Sequence, residues 1–295
     1  MRQMSINKCK RGFVTLLFIL PALVPLVVFW IYPIFRTIHI SFTDWDYMVP
    51  EYNYVGFTNY IKLFANENFR NALRQTLAFG LGTIIPIIAL GLGLALLLQK
   101  NFRSKSFYQL LIFSPWITPT VAVSIVWIWI FEPNAGFANM ILNFFGLPGL
   151  SWIHSSDTAM LAIIIVTVWK GLGYTMVFYI TALEKVPREL YEAASIDSAS
   201  GLQKFFHITL PLISPTTFFL TIINTITALQ AYDQIQILTQ GGPAGSTRTL
   251  LYLYYQLGFQ QFRMGQAAAV VFVLTVITFT LALLQSFISK RAVHY

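Results

Sequence analysis

Long apolar stretches alternate along this chain with short polar segments. A helix needs about 20 consecutive apolar residues to cross the bilayer core. Six stretches reach that length: 13–38, 72–98, 107–131, 159–183, 210–230 and 266–288. Prolines fall inside several, with Pro21, Pro25 and Pro33 in the first, Pro86 in the second, and Pro115 and Pro119 in the third. Membranes tolerate such breaks because neighbouring helices satisfy the freed carbonyls. Small residues at close spacing, Ala89 with Gly93 and Gly91 with Ala95, suit tight helix contact. The pattern predicts an all-α integral membrane protein with six transmembrane helices. The first stretch follows basic residues as a secretory signal would, but it exceeds the usual ~7–15 residues and no small-x-small cleavage site follows. It is expected to be a retained span.

Composition agrees with the pattern. Of 295 residues, 56% are hydrophobic and 10% charged, against about 25% charged in soluble domains. The net charge of +8 then reports topology rather than nucleic-acid binding. Cys9 is the one cysteine, so no internal disulfide is available. Twelve of the basic residues cluster at the N-terminus, near 100–105, in 185–204 and at 290–291, whereas Lys62, Arg70, Arg248 and Arg263 occupy the intervening polar segments. The excess of Lys and Arg marks the cytoplasmic side. Both termini and the segment 186–215 are therefore expected in the cytoplasm, with loops 41–71, 132–158 and 231–265 outside.

Segment 186–215 has more structure than a membrane loop needs. Pro187 suits a first helical position, and good helix formers follow to Ile196. Ser200 with Gln203 three residues later is a capping-box pattern that starts a second helix near Gly201. Leu202, Phe205, Phe206 and Thr209 then share one apolar face at helical spacing. Glu184, Glu189, Glu192 and Asp197 outnumber the local bases. Amphipathic helices that lie on lipid favour Lys and Arg, so the acids favour a protein partner, with the interfacial alternative left open.

Glu192-Ala193-Ala194, followed by Ile208-Thr209-Leu210-Pro211, resembles the EAA loop of bacterial ABC importer permeases. The wider text from Val186-Pro187 to Tyr191 and Asp197 is similar to the carbohydrate-uptake, maltose-permease-like branch. Tyr232-Asp233-Gln234-Ile235 with Leu238-Thr239-Gln240-Gly241-Gly242-Pro243, and Phe131-Glu132-Pro133 with Gly136, match two further signatures. The order and spacing cover roughly residues 70–288. The resemblance implies a type I ABC importer permease fold with a cytoplasmic EAA coupling helix, in the bacterial inner membrane. It implies an N-terminal cytoplasmic tail, first transmembrane helix and external loop at 1–71, a transmembrane core of five helices at 72–288 and a cytoplasmic C-terminal tail at 289–295. The implied partners are a second, similar permease forming a heterodimer, a dimer of cytoplasmic ATPases that binds the ATP and magnesium, and an extracytoplasmic solute-binding protein. The ATPase-coupling residues would be Glu189, Glu192, Ala193, Ala194, Asp197 and Ser198. The family usually carries glycine where this chain has Ser198, which implies either ordinary dihedrals there or a turn moved to Gly201. No cofactor is implied for this chain itself.

What is missing points the same way. There is no phosphate-cradling G-x-x-x-x-G-K-[ST] segment, no HExxH or GxSxG, and no Cys/His cluster for a metal. Every acid lies in a loop or at a span end, whereas proton-coupled transporters need ionisable groups within the membrane. A secondary transporter and an intramembrane enzyme are therefore both disfavoured. Lys170 is the charge near the middle of the fourth span, and such a residue is either functional or a structural lysine reaching a backbone carbonyl or water. By spacing from the EAA segment, the resemblance points to Lys170, Gly171, Tyr174, Asn224, Thr227 and Ala228 as a solute path, with a sugar, oligosaccharide or glycerol-phosphate-like polyol as cargo. Helix packing is the competing account of each. Asp233, Gly241, Gly242 and Pro243 would face outward, as a contact for the binding protein or simply as a turn.

Overall fold

The computed structural model describes residues 15, 18–99 and 103–292. Apart from one isolated antiparallel bridge between Thr43 and Tyr54, its regular structure is helical among the described residues. The chain divides into two compact units.

The first unit takes in the chain up to Ala65 together with Gln256–Phe272. Helix α1 runs Phe18–Ser41, and five of its residues, Val27–Ile31, wind as a π-helix. The start of the predicted first span, residues 13, 14, 16 and 17, lies outside the described residues. Helix α2, Thr58–Ala65, is fastened by buried Asn59, whose amide donates to the carbonyls of Ser41 and Thr43 at 2.9 and 2.8 Å. Gly265 donates its N–H to the Trp45 carbonyl at 3.0 Å. A Cβ there would run into the Thr43 carbonyl oxygen, so this crossing of backbones requires glycine.

The second unit, Asn66–Tyr255 with Val273–Tyr295, carries the residues singled out above. Its frame is α3, Glu67–Leu98, laid along α7, Ala159–Glu184. Asn66 caps α3 by accepting from the Asn68 N–H at 2.8 Å, and the helix continues through Pro86. The small residues in α3 divide between two faces. Gly91 and Ala95 are buried, and a Cβ on Gly91 would lie 2.6 Å from Thr175 Cγ2 of α7. Ala89 is exposed and Gly93 faces open space. Only the first pair serves the close approach expected.

The third predicted span is not a single helix. It is α4, Lys105–Ile117, and α5, Thr120–Ile130, bent by 101°. The cause is Pro119, which disfavours the helical region for the residue before it. Thr118 accordingly sits at φ −71°, ψ 135°. The fifth span is bent too. Helix α9, Gly201–Leu212, meets α10, Ser214–Leu229, at 64°, so the expected 210–230 stretch is not one straight helix. Between these lie α6, Phe137–Phe144, and α8, Arg188–Ile196. After α10 come α11, Asp233–Leu238, α12, Leu250–Tyr255, and α13, Met264–Ala292. Among the described residues, four helices are long and apolar enough to cross a membrane, or up to six when each bent pair counts as one crossing.

Among the described residues, two buried clusters help to hold this unit. One gathers Phe79, Val123, Phe131, Trp152, Ile163, Ala228, Ile235 and Tyr252. The other gathers Ala95, Leu98, Met176, Tyr179, Leu183, Ile213 and Leu220, near the 186–215 insert. In lipid the drive is packing and hydrogen bonding rather than escape from water. The Tyr179 hydroxyl donates to Thr217 at 3.1 Å, joining α7 to α10. Gln285 donates to Thr225 at 2.9 Å, joining α13 to α10.

Candidate functional site

The insert forms the expected helix, turn and helix. Pro187 stands at the N-cap of α8 and Glu189 falls in the first turn, where a negative charge suits the helix dipole. Both capping-box bonds are made: Gln203 accepts from the Ser200 N–H at 2.7 Å, and the Gln203 N–H donates to Ser200 Oγ at 3.3 Å. The turn itself differs from the expectation. Ser198 adopts φ +56°, so neither ordinary dihedrals nor a shift to Gly201 describes it. The Ala199 N–H donates to the Ala194 carbonyl at 2.9 Å and the Ser198 N–H to the Ser195 carbonyl at 3.1 Å. This is the Schellman closure, with serine in the left-handed position that glycine fills at least cost.

The expected apolar face of the second helix also changes, because Phe205–Thr209 winds as a π-helix and breaks the i, i+3, i+4 register. Thr209 turns inward and is bonded to the Tyr191 hydroxyl at 2.8 Å, which fastens α8 to α9. Lys204 adds a donor bond to Ser195 Oγ at 2.7 Å. Leu202 and Phe206 turn outward, and Leu190 and Ile196 are exposed as well; Ile196 is 85% and Leu202 71% accessible. Glu189, Glu192, Ala193, Asp197 and Ser198 are also exposed, with Ala194 half-buried. Exposed apolar groups with acids around them are a common character of interaction surfaces.

Deep in α7, Lys170 donates to three backbone carbonyls at the end of α4: Pro115 at 3.3 Å, Trp116 at 3.2 Å and Thr118 at 2.9 Å. Its ammonium also lies 5.8 Å from the centre of the Trp116 ring. That ring stacks on Tyr174 at 4.5 Å, and Tyr174 meets Phe178 at 4.7 Å. One face of Tyr174 is thus covered. Gly171 is buried with Ile87 Cδ1 at 3.0 Å from where its Cβ would stand, and Ala228 is buried in the larger cluster. Asn224 is half-buried and donates to the Leu220 carbonyl of its own helix at 2.8 Å. Thr227 is exposed. The six path residues therefore do not converge on one open surface: Tyr174, Asn224 and Thr227 keep polar atoms accessible, while Gly171 and Ala228 pack. A separate open cavity of about 960 Å³ lies between α4, α5, α6 and α7, lined by Leu111, Trp127, Phe131, Trp152 and Trp169 among others. Its walls are almost wholly apolar, with Ser114 and Thr118 the hydroxyl side chains among its lining, and suit a polyol poorly.

The signatures at 131–136 and 232–243 are tied structures. Glu132 accepts from the Asn134 N–H at 2.9 Å and from the Ala135 N–H. These bonds, that from Ala135 foremost, hold its carboxyl below the usual range. Gly136 has no room for a Cβ against the Glu132 carbonyl. Asn139 was not flagged by the sequence. It donates to the carbonyls of Pro133 and Leu150 at 2.8 and 2.9 Å, and accepts from the Leu150 N–H at 3.0 Å and Trp152 Nε1 at 2.7 Å. Its one signal was an amide inside the apolar run of α6. In the Gly241-Gly242-Pro243 turn, Gly241 has φ +77° and a Cβ would stand 2.5 Å from the Tyr252 ring. Thr247 is buried and donates to the Gly242 carbonyl at 2.8 Å. Asp233 is exposed at the start of α11. Beside it, burial, reinforced by Tyr255, pushes the Tyr232 hydroxyl up to about 12.

Residues 87–294 match the family described as "Binding-protein-dependent transport system inner membrane component". The chain belongs to this family. It is 32% identical to the sn-glycerol-3-phosphate transport system permease protein UgpA of Agrobacterium fabrum, over 95% of each chain. It is 32% identical to the trehalose/maltose transport system permease protein MalF of Thermococcus litoralis, over 96% of this chain and 95% of that one. It is 33% identical to the probable ABC transporter permease protein YurN of Bacillus subtilis, over 91% and 93%. A solved bacterial ABC transporter that imports the acidic polysaccharide alginate superposes with a TM-score of 0.84 at 23% identity, over 98% of this chain and 99% of that one, a likeness of fold. This is therefore a multi-pass inner-membrane permease subunit of a binding-protein-dependent ABC importer. ATP hydrolysis belongs to a separate ATPase subunit of the complex, and this permease family carries no cofactor of its own.

Proposed function

We propose that the permease carries a neutral carbohydrate, and that it couples to its ATPase through the α8–α9 module. Both termini and this module face the cytoplasm. Lys105 and Glu184, assigned by the charge pattern to one side, meet at 3.7 Å, which agrees with that orientation. A second, similar permease supplies the other half of the pathway, and each of two ATPase subunits grips one EAA helix. The chain divides into an N-terminal region at 1–71 that includes a cytoplasmic tail, the first span and an external loop, a transporting core at 72–288 and a cytoplasmic tail at 289–295. The observation that carries the coupling assignment is the exposure of Leu190, Ile196, Leu202 and Phe206 together with Glu192 and Asp197. The bonds Tyr191–Thr209 and Lys204–Ser195 hold the module as one body. Asp233 and the Gly241–Pro243 turn face the binding protein.

The relatives' names span trehalose, maltose and glycerol 3-phosphate. The three ammonium donors of Lys170 are already engaged by carbonyls. No cation near the middle of a described span is then left for a phosphate, and an unpaired anion at that depth is costly. This favours a neutral sugar, contacted by Tyr174, Asn224 and Thr227, with Gly171 and Ala228 setting helix spacing. Uptake by the complete transporter in proteoliposomes tests it. Radiolabelled maltose or trehalose should enter and sn-glycerol 3-phosphate should not; the opposite result defeats the neutral-solute reading. Glu192→Lys should leave assembly intact and abolish solute-stimulated ATP hydrolysis. Normal stimulation in that variant would remove the coupling role.

A further inference from the structure

We propose that Lys170 is a positioning residue: its ammonium caps the carbonyl end of α4 and so fixes the 101° bend of the third crossing. The orphaned carbonyls identify themselves. In an unbroken helix the N–H of residue 119 would bond to the carbonyl of residue 115, and that of residue 120 to the carbonyl of 116. Residue 119 is proline and has no N–H to give. The chain also leaves the helix at Thr118, with ψ 135°, so the next donor points elsewhere. Pro115 and Trp116 are thus left without helical partners in a stretch predicted to lie in the membrane, where each unsatisfied group costs several kcal/mol. Lys170 bonds to both, and to the Thr118 carbonyl beyond them. An ammonium has three donors, and all three are used. A cation at a helix C-terminus is also favoured by the helix dipole.

Two neighbours on α7 complete a clamp. Gly173 lets the α7 backbone approach α4 so closely that a Cβ would strike the Ile112 carbonyl and stand 2.5 Å from Phe113 Cα. Tyr174, one turn along from Lys170, stacks on Trp116, the ring beneath the ammonium. Lys170, Gly173 and Tyr174 therefore grip the last turn of α4 from one helix by charge, close approach and stacking. The bend is set by α7 as well as by Pro119.

The inference rests on family membership and not on which solute is carried. The complete transporter is used, with Cys9 replaced by serine and spin labels at Leu110→Cys on α4 and Ile125→Cys on α5. Lys170→Met should shift or broaden the distance distribution between the labels, and Lys170→Arg, which keeps charge and donors, should restore it. With maltose and sn-glycerol 3-phosphate as probes, the maximal uptake rate of whichever is carried should fall about tenfold in Lys170→Met, the loss of roughly one charge-assisted bond, with KM within about twofold. An unchanged distance distribution overturns the proposal. So does a rise in KM confined to the anionic probe, which would make Lys170 a counter-charge. If Lys170→Met does not assemble, Lys170→Arg decides: wild-type distances and uptake support the cap, and a disordered bend in an assembled complex refutes it. Failure to carry either probe would count against the neutral-carbohydrate reading and leave the label distances to judge this one.

Discussion

Replacing Ser198 by glycine should stabilise the turn between α8 and α9. Ser198 holds φ +56° at the position after the α8 C-cap. The left-handed conformation costs an L-residue roughly 1–2 kcal/mol. Glycine escapes that cost but loses more backbone freedom on ordering, about 0.5–1 kcal/mol. The Ser198 side chain is exposed and makes no hydrogen bond among the described residues, so removing it forfeits nothing. The net gain is about 0.5–1 kcal/mol. The assay is amide hydrogen exchange at Ser198 and Ala199, the two N–H groups that close the Schellman motif. Because local opening governs their exchange, a gain of that size should slow both amides by about 2–5-fold. Ser198→Ala keeps the steric penalty and should show no slowing. Unchanged or faster exchange in Ser198→Gly, or equal slowing in Ser198→Ala, would refute the strain argument.

Three further outcomes are expected. Asn139→Ala leaves the Trp152 indole N–H and the Leu150 N–H without their acceptor; at about 1–3 kcal/mol per orphaned group, thermal unfolding in detergent should show a loss near 3 kcal/mol, and a loss under about 1 kcal/mol would deny Asn139 its place as the hub of the 133–152 loop. Gly173→Ala drives a methyl into the α4 backbone and should destabilise by about 1–3 kcal/mol, whereas Gly93→Ala, which faces open space, should be neutral or stabilising; equal effects at both sites would contradict the packing. Glu132 has its folded-state pKa lowered, chiefly by the Ala135 N–H, so its contribution to the 132–136 turn is present above the ordinary carboxylate range and is lost as pH falls through the folded value. Amide protection at Asn134 and Ala135 should therefore fall only on acidification below the ordinary range, and Glu132→Gln should abolish that pH dependence.

The elements that sequence made legible are those governed by local rules. The capping box at Ser200 and Gln203, Pro187 at the head of α8, and the long apolar runs of α3, α7 and α13 all formed as expected, because cap chemistry and span length need no tertiary partner. What sequence could not supply were angles and seams. Pro115 and Pro119 both appear in the third apolar stretch, yet the chain passes helically through Pro115 and turns at Thr118; which proline breaks a helix depends on what satisfies the freed carbonyls, here Lys170 from fifty residues away. The outward rotation of Leu202 and Phe206 follows from π-winding at Phe205–Thr209, which no periodicity of 3.6 anticipates. Ser198 was recognised as a departure, but both expected resolutions assumed that serine would avoid positive φ. The backbone bonds of Ala199 and Ser198 over-determine the turn and hold serine there.

The clamp lies on α7, which leads directly into the α8–α9 module proposed to meet the ATPase, and this constrains how work could travel. From Lys170 to Glu184 the chain is one uninterrupted α7, about 21 Å at 1.5 Å per residue. Beyond it, Val186 is buried in the cluster that also holds Tyr179, Leu183 and Ile213, so the entry to α8 cannot shift without α7. On the other side, α9 runs through Leu212 into the 64° bend before α10, and Tyr179 bonds Thr217 across the gap between α7 and α10. A displacement imposed on α8–α9 by an ATPase would thus reach α7 and α10 together, and through Lys170, Gly173 and Tyr174 would be handed to the bent third crossing. It changes the transport equilibrium only insofar as the ATPase binds the module differently in its two states. The bend is the least continuous piece of backbone in that chain of contacts and the natural place for a displacement to become a change of angle.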